Sequence, residues 1–219
     1  MTTPWWRHLL PGRCLLCETA LPPEADPDLC PYCLDALPWN EPACPRCGLP
    51  LPQAVSLCPE CDRRAPPFVA TIAPLRYQDC AADWVRRLKD RVGVVEGRVL
   101  GLLLARAALR RYRSTPQLRR PDLLVPVPLT WWRLARRGHN QAITLALPVA
   151  RALGVPLWRT AATRRRGARQ RGSNRARRLD QPTAAFRCRH RFEAPGPCIG
   201  LVDDVVTTGA TAAALTRIL

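Results

Sequence analysis

Eight cysteines fall into four Cys-x-x-Cys pairs between Cys14 and Cys61: Cys14/Cys17, Cys30/Cys33, Cys44/Cys47 and Cys58/Cys61. Intervals of 12, 10 and 10 residues separate successive pairs, enough for a short hairpin or loop each. Pro31, Pro45 and Pro59 follow a cysteine inside three of the four pairs. A tight turn with two thiolates supplies half of a tetrahedral site. Two such turns make a closed four-thiolate site suited to Zn²⁺. Four pairs in so short a stretch favour zinc over redox-active dithiols or an iron–sulfur cluster. Closing the shorter loops joins Cys14/Cys17 to Cys30/Cys33 and Cys44/Cys47 to Cys58/Cys61; a cross-paired arrangement also stays open. With no open coordination position, about two such ions would be structural.

The chain has eleven cysteines, and this usage fits metal binding in a reducing compartment better than disulfides. The opening MTTPWWRHLLPGRC lacks the apolar core and cleavage site of a signal peptide. No apolar stretch is long enough to cross a bilayer. A cytoplasmic chain without a membrane span is expected. Cys80, Cys188 and Cys198 are scattered and read as small, half-buried residues. The net charge of +17 comes almost wholly from Arg and predicts attraction to polyanions. Part of that excess reflects a composition rich in Arg, Ala and Pro, so charge alone does not specify nucleic acid.

A second constraint is Ile199–Ala213, IGLVDDVVTTGATAA. Ile199-Gly200-Leu201-Val202 reads as a buried strand of a parallel sheet. Asp203 and Asp204 stand where it ends, and Thr207, Thr208, Gly209, Ala210 and Thr211 form a hydroxyl-rich loop entering a helix. In an open α/β sheet, ligands bind at the carboxyl ends of the strands. The loop offers unpaired backbone N–H groups to a phosphate. Two carboxylates beside it suit sugar hydroxyls or a divalent cation instead. A sugar phosphate satisfies both halves.

The rest of the chain fits around these two stretches. Trp5, Trp6, Leu9 and Leu10 form a short apolar helical set before the first cysteine pair. Residues 14–65 are too few to hold a core without metal, and Pro66-Pro67 marks the boundary. A double zinc ribbon domain over 1–65 and a second domain over 66–219 follow. Phe68–Tyr77 suggests one or two strands. Asp79 caps a helix with Trp84, Val85 and Leu88, which Gly93 and Gly97 interrupt before Val99, Leu102, Leu103 and Leu109 continue it to about Tyr112. Asp122–Leu129 holds the next buried strand, and its end, Pro126-Val127-Pro128, is a loop at the ligand edge. Arg133, Arg136, Arg137, Asn140 and Gln141 gather at a helix start; that helix runs to about Leu153, with Pro148 kinking it. Val155–Trp158 is a short strand. Arg164–Arg178 holds eight Arg and no acid. It reads either as a solvated arm or as a basic lid able to close over diphosphate or touch a nucleic-acid backbone. Arg164, Arg165, Arg166 and Arg169 are its candidates.

The stretch around Asp203 and Asp204 resembles the phosphoribosyl diphosphate (PRPP) motif of type I phosphoribosyltransferases. That resemblance assigns Asp203 and Asp204 to the ribose 2′- and 3′-hydroxyls and Thr207–Thr211 to the 5′-phosphate. The chain as a whole resembles the ComF family, competence-associated bacterial proteins with a Cys-rich zinc domain ahead of a phosphoribosyltransferase domain. The resemblance rests on the four cysteine pairs, Leu88-Lys89, the VPVP run Val125–Pro128, and Arg137-Gly138-His139-Asn140-Gln141. It also rests on the Gln170–Arg178 spacing, Ala185-Phe186 and the PRPP motif. Three positions depart from the pattern: His139 where an aromatic residue is usual, Gln181 where Asn is usual, and Pro148 inside a helix. The chain also stops at Leu219, where the family continues with another strand.

The implied architecture is an α/β phosphoribosyltransferase-type parallel sheet flanked by helices, preceded by the zinc ribbons and truncated at its C-terminus. The implied chemistry is loss of diphosphate through an oxocarbenium-like transition state, with Mg²⁺ bridging diphosphate oxygens and ribose hydroxyls. Pro126, Val127, Pro128, Arg133 and Arg137 are diphosphate-contact candidates; no residue presents itself as an acid–base catalyst. Thr207 replaces the Asp that 6-oxopurine transferases use at that position. Met1-Thr2 offers no N-terminal Cys for a glutaminase. The resemblance implies a role in DNA uptake during natural transformation, with single-stranded DNA and other uptake proteins, such as a competence helicase, as partners. Two alternatives are a small-molecule phosphoribosyltransferase with an unknown acceptor and a zinc-ribbon adaptor with an inert transferase fold.

Overall fold

The computed structural model describes residues 12–90, 93–164, 186–189 and 196–219. The Trp5–Leu10 set, Arg165, Arg166, Arg169 and nearly all of the basic stretch lie outside them. Each ribbon begins with a tight hairpin closed by a single bridge, Arg13↔Ala20 in one and Ala43↔Pro50 in the other. The two hairpins repeat one hydrogen-bond scheme. Cys14 N donates to Thr19 O and Cys44 N to Leu49 O, both at 2.9 Å. The residue after each second cysteine takes the left-handed conformation, Glu18 at φ 60° and Gly48 at φ 75°. Each ribbon's second pair opens a one-turn helix, α1 (Pro31–Asp35) or α2 (Pro59–Arg63). Proline occupies the first turn there, where no N–H is needed. Cys30 and Cys58 are the N-caps, their sulfurs accepting from the N–H groups of Cys33 and Cys61.

Phe68–Tyr77 is extended but forms no strand. Its N–H groups reach back to the ribbons, Thr71 to Pro45 O and Arg76 to Pro38 O, and only the Trp39↔Leu75 bridge is ladder-like. Pro74 has no N–H to extend that ladder. Two helices follow, α3 (Asp79–Lys89) and α4 (Val94–Ser114). Gln78, not Asp79, is the N-cap of α3, and Asp79 lies within the helix at φ 47°. Gly93 caps α4, whereas Gly97 is buried inside it. Neither Gly97 nor Gly101 breaks the helix, because each is where α6 (Gln141–Leu153) comes closest. A Cβ on Gly97 would sit 2.8 Å from Thr144 Cγ2, and one on Gly101 2.9 Å from Pro148 Cγ. Pro148 is thus taken into a helix that runs through it to Leu153.

Among the described residues the parallel sheet has two strands, β1 (Leu123–Pro126) and β4 (Ile199–Val202), in the register Pro126↔Val202. The Val155–Trp158 stretch contributes one parallel bridge, Leu124↔Leu157, and no full strand. β2 (Ala162–Arg164) and β3 (Phe186–Cys188) form a separate antiparallel pair. Among the described residues the expected phosphoribosyltransferase-type sheet is represented by this parallel pair and the Leu157 bridge. Leu124 and Val202 pack with Leu145, Ala146 and Val149 of α6 and Leu88 of α3. On the other face Val127 and Leu201 meet Ala214 and Leu215 of α7 (Ala210–Thr216). Helices on both faces are what a parallel pair requires. Among the described residues no helix is long and apolar enough to cross a membrane.

Candidate functional site

The sulfurs of Cys14, Cys17, Cys30 and Cys33 lie within 4.8 Å of one another, as do those of Cys44, Cys47, Cys58 and Cys61. The structure thus selects the sequential pairing. A tetrahedron with Zn–S near 2.3 Å has edges of about 3.8 Å. Cys17–Cys30 and Cys47–Cys58 are each 3.7 Å apart. The thiols of one set also perturb one another. The Cys17 thiol is drawn down to about 6, chiefly by Thr19, while its neighbour Cys33 is pushed up, chiefly by Cys30. Both sets fit a structural zinc ion, and neither leaves an open position.

The two sets differ in their surroundings. Cys14 and Cys30 belong to a core with Leu21, Leu29 and Leu37 of the ribbon, Trp84 of α3, and Val99 and Leu103 of α4. Cys44, Cys58 and Cys61 form a small cluster of their own with Leu51 and Leu57. The first set is part of the main core, and the second stands beside it.

The parallel pair brings the sugar-phosphate candidates together. Because β1 and β4 run side by side, Pro126 ends beside Val202, and Val127 N donates to Val202 O at 2.8 Å. The VPVP loop and the acidic pair therefore share one edge. Asn140 holds the loop in place, its amide donating to Val127 O at 3.1 Å while its carbonyl caps α6 at Ala142 N. Asp203, Asp204, Thr207, Thr208, Gly209, Ala210 and Thr211 line a cavity of about 690 Å³, with Val127 and Phe68 in its wall. Gly209, at φ 68°, precedes α7, and the Thr208 hydroxyl accepts from Ala210 N at 3.4 Å.

The acidic pair is electrostatically divided. Burial, and then the charge of Asp204, push the Asp203 carboxyl up to about 7, against a hydrogen bond from Asp204 N to its Oδ1 at 2.9 Å. Asp204 is paired instead with Lys89 at the end of α3, 3.2 Å from Oδ2. Two oxygen donors of unequal charge suit one divalent cation or a pair of hydroxyls.

The arginine candidates divide as well. Arg133, Arg136 and Arg137 occupy a separate helix, α5 (Trp131–Arg137), which Gly138 ends in the left-handed conformation. The expected gathering at one helix start is therefore two elements, because Gly138 reverses the chain between them. Arg137 donates to Gln141 Oε1 at 3.1 Å, and Arg133 lies over the Trp132 ring. Arg164 belongs to β2 rather than to a loop, with its guanidinium 5.2 Å from the Phe186 ring. Burial lowers its pKa, Arg133 adds to the effect, and Asp203 opposes it. Those two influences put Arg164 electrostatically between Arg133 and the acidic pair.

Comparison with known proteins matches residues 5–64 to the double zinc ribbon domain family. A DNA utilization protein YhgH from Salmonella typhimurium is 31% identical over 208 residues, covering 95% of this chain and 84% of that protein. The Escherichia coli K12 protein of the same name is 31% identical over the same shares. Competence protein F of Haemophilus influenzae is 36% identical over 114 residues, 51% of this chain and half (50%) of that protein's length. The chain belongs to the ComF family. No solved structure gives a significant match.

The ComF-family motif Leu88-Lys89 acquires a geometric meaning that sequence reading missed. Leu88 is 1% exposed in the core, and its carbonyl lies 2.9 Å from His139 Nε2. Those contacts fix the end of α3 so that Lys89 meets Asp204. A signal was present: Lys89 is the single lysine in a chain with 34 Lys and Arg. Phe68 is a second omission. A Cβ on Gly209 would sit 3.2 Å from its ring, which places it over the phosphate-loop candidate.

Proposed function

We propose that this ComF-family chain is a PRPP-binding, phosphoribosyltransferase-like protein that works in the cytoplasm in DNA uptake and contacts single-stranded DNA. The names of its relatives, Competence protein F and DNA utilization protein, support the DNA role. One observation carries the PRPP reading: Asp203, Asp204 and the Thr207–Thr211 loop line one cavity at the end of β4, beside the VPVP loop. Asp203 and Asp204 accept from the ribose 2′- and 3′-hydroxyls, and the backbone N–H groups of Thr207–Thr211 hold the 5′-phosphate.

Mg²⁺ suits the hard carboxylate donors and, when bound, neutralises diphosphate charge. The remaining work falls to the chain. Arg133 and Arg164 supply fixed positive charge toward the departing diphosphate. Pro126, Val127 and Pro128 shape the floor under it. Asp203 must give up its proton to accept from two hydroxyls, so ligand binding near pH 6 releases a proton.

Calorimetry of zinc-loaded protein with PRPP and Mg²⁺ tests this reading. Binding to the parent chain, with loss in Asp203→Asn/Asp204→Asn, is the expected result. Heat indistinguishable from dilution in the parent chain removes the PRPP assignment.

A further inference from the structure

Helix α4 carries arginines along its whole length, and the structure treats its two halves differently. Arg98, in the N-terminal half, pairs with Asp26 at 3.0 Å and with Asp28 at 2.5 Å. Arg106 donates to the carbonyl of Asp26. These contacts fasten the helix to the first ribbon. Arg110, and Arg111 and Arg113 in the last turn, have no carboxylate partner among the described residues. They line a cleft of about 700 Å³ whose opposite wall is the second ribbon, from Ala43 to Gly48, with Thr71–Pro74 as its floor. Glu41 is the one acid among the lining residues, so the cleft keeps a net positive charge.

The second ribbon gives the cleft its wall, and its buried thiols lie in a cluster apart from the one that holds Cys14 and Cys30. Its thiols cluster only with one another and with leucines of their own ribbon. A metal-held element with a cysteine cluster of its own, set opposite three arginines without carboxylate partners, is arranged for an anion. Overall basicity does not explain the contrast, because Arg98 of the same helix is neutralised by the ribbon acids Asp26 and Asp28.

We propose that the cleft between the second zinc ribbon and the end of α4 binds the phosphate backbone of single-stranded DNA through Arg110, Arg111 and Arg113. This rests on the single-strand contact put forward above and gives it a site distinct from the basic stretch after β2. Arg110 already lies over the Trp39 ring, 5.8 Å from its centre, so the guanidinium is held at the wall rather than free in solvent. Phosphate contacts of this kind bind without sequence preference and weaken with salt.

The test is titration of the full, zinc-loaded chain with a fluorescent oligo-dT over a range of salt concentrations. Each phosphate contact to a single strand adds about 0.7 to the slope of log K against log salt. Arg110→Gln/Arg111→Gln/Arg113→Gln should therefore flatten the slope by about 2, with the zinc count unchanged. Arg113→Glu alone, at an exposed helix end, gives a second reading that does not disturb packing and should also flatten it. An unchanged slope in both variants overturns the cleft, and so does a loss confined to Arg165→Gln/Arg166→Gln/Arg169→Gln. Equal affinity for duplex or for polyglutamate overturns the single-strand assignment. A parent chain that does not bind oligo-dT overturns both this proposal and the contact it rests on.

Discussion

Replacing Asp203 with Asn should make the protein more stable while removing PRPP binding. Burial and the adjacent Asp204 raise the Asp203 carboxyl to about 7. Relative to an ordinary carboxylate near 4, that rise is worth about 4 kcal/mol of disfavoured ionisation. The side chain is only partly buried, and solvent screening reduces this to about 2 kcal/mol. Because the folded-state value lies above the unfolded one, the penalty is absent below about pH 4, grows between about pH 4 and 7, and is complete above that. At pH 5.5 roughly half of it is present. Asn keeps an acceptor for Asp204 N, which bonds Asp203 Oδ1 at 2.9 Å. A chain of this size gains about 2–4 °C per kcal/mol, so Asp203→Asn should melt about 4–8 °C above the parent at pH 8 and about half as far above it at pH 5.5. Scanning calorimetry of zinc-loaded proteins at both pH values measures this. A melting point at or below the parent's at pH 8, or a gap equal at both pH values, refutes the buried-carboxyl argument.

Metal analysis should find about two zinc ions per chain. Cys14→Ser should unfold the helical core with the ribbon, whereas Cys44→Ser should leave the main melting transition near the parent's, as near-UV and far-UV circular dichroism would reveal. Lys89→Met removes the cation that occupies Asp204, so Mg²⁺ alone should bind several-fold more tightly by calorimetry; an unchanged affinity means that Lys89 does not hold the cation's place. Gly101→Ala forces a Cβ to 2.9 Å from Pro148 Cγ, a ring that cannot rotate aside. The cost should be about 1–3 kcal/mol in urea unfolding, and a loss below that range would mean that α4 and α6 can separate freely.

The zinc sites were legible because their chemistry is local. Two Cys-x-x-Cys turns need only meet, and spacing shows which meetings close short loops. The acidic pair and its loop were legible for the same reason, being one contiguous stretch whose order of apolar, acidic and hydroxyl residues is its geometry. Phe68–Tyr77 misled because β-branched and aromatic residues signal an extended backbone, not a paired one, and Pro74 leaves the ladder short. Gly97 misled because a glycine inside a helix reads as a break until the neighbouring helix is known to need the space. Lys89 was beyond local reasoning: it reaches Asp204 from an element far away in sequence, and only tertiary packing brings it there. Arg164 was named from the basic run, but its place in β2 was not visible in that run.

Helix α3 explains how one small chain keeps its zinc ribbon and its candidate site in register. Trp84 packs into the cluster that holds Cys14 and Cys30. Leu88, one helical turn on, packs into the cluster that holds Leu124 of β1 and Val202 of β4. Lys89 then reaches Asp204, one residue past the acidic partner that follows Val202. Six residues of one helix therefore span the first metal site, the sheet and the ligand edge. Leu100 of α4 packs against both clusters and reinforces the link. A rotation of α3 that followed loss of the first zinc would carry Lys89 away from Asp204, leaving two facing carboxylates with less positive charge between them. Through α3 the first ribbon is therefore tied mechanically to a site it does not touch. The second ribbon meets the acidic pair by another route, with Gly48, Leu49 and Pro50 in the lining of the same cavity.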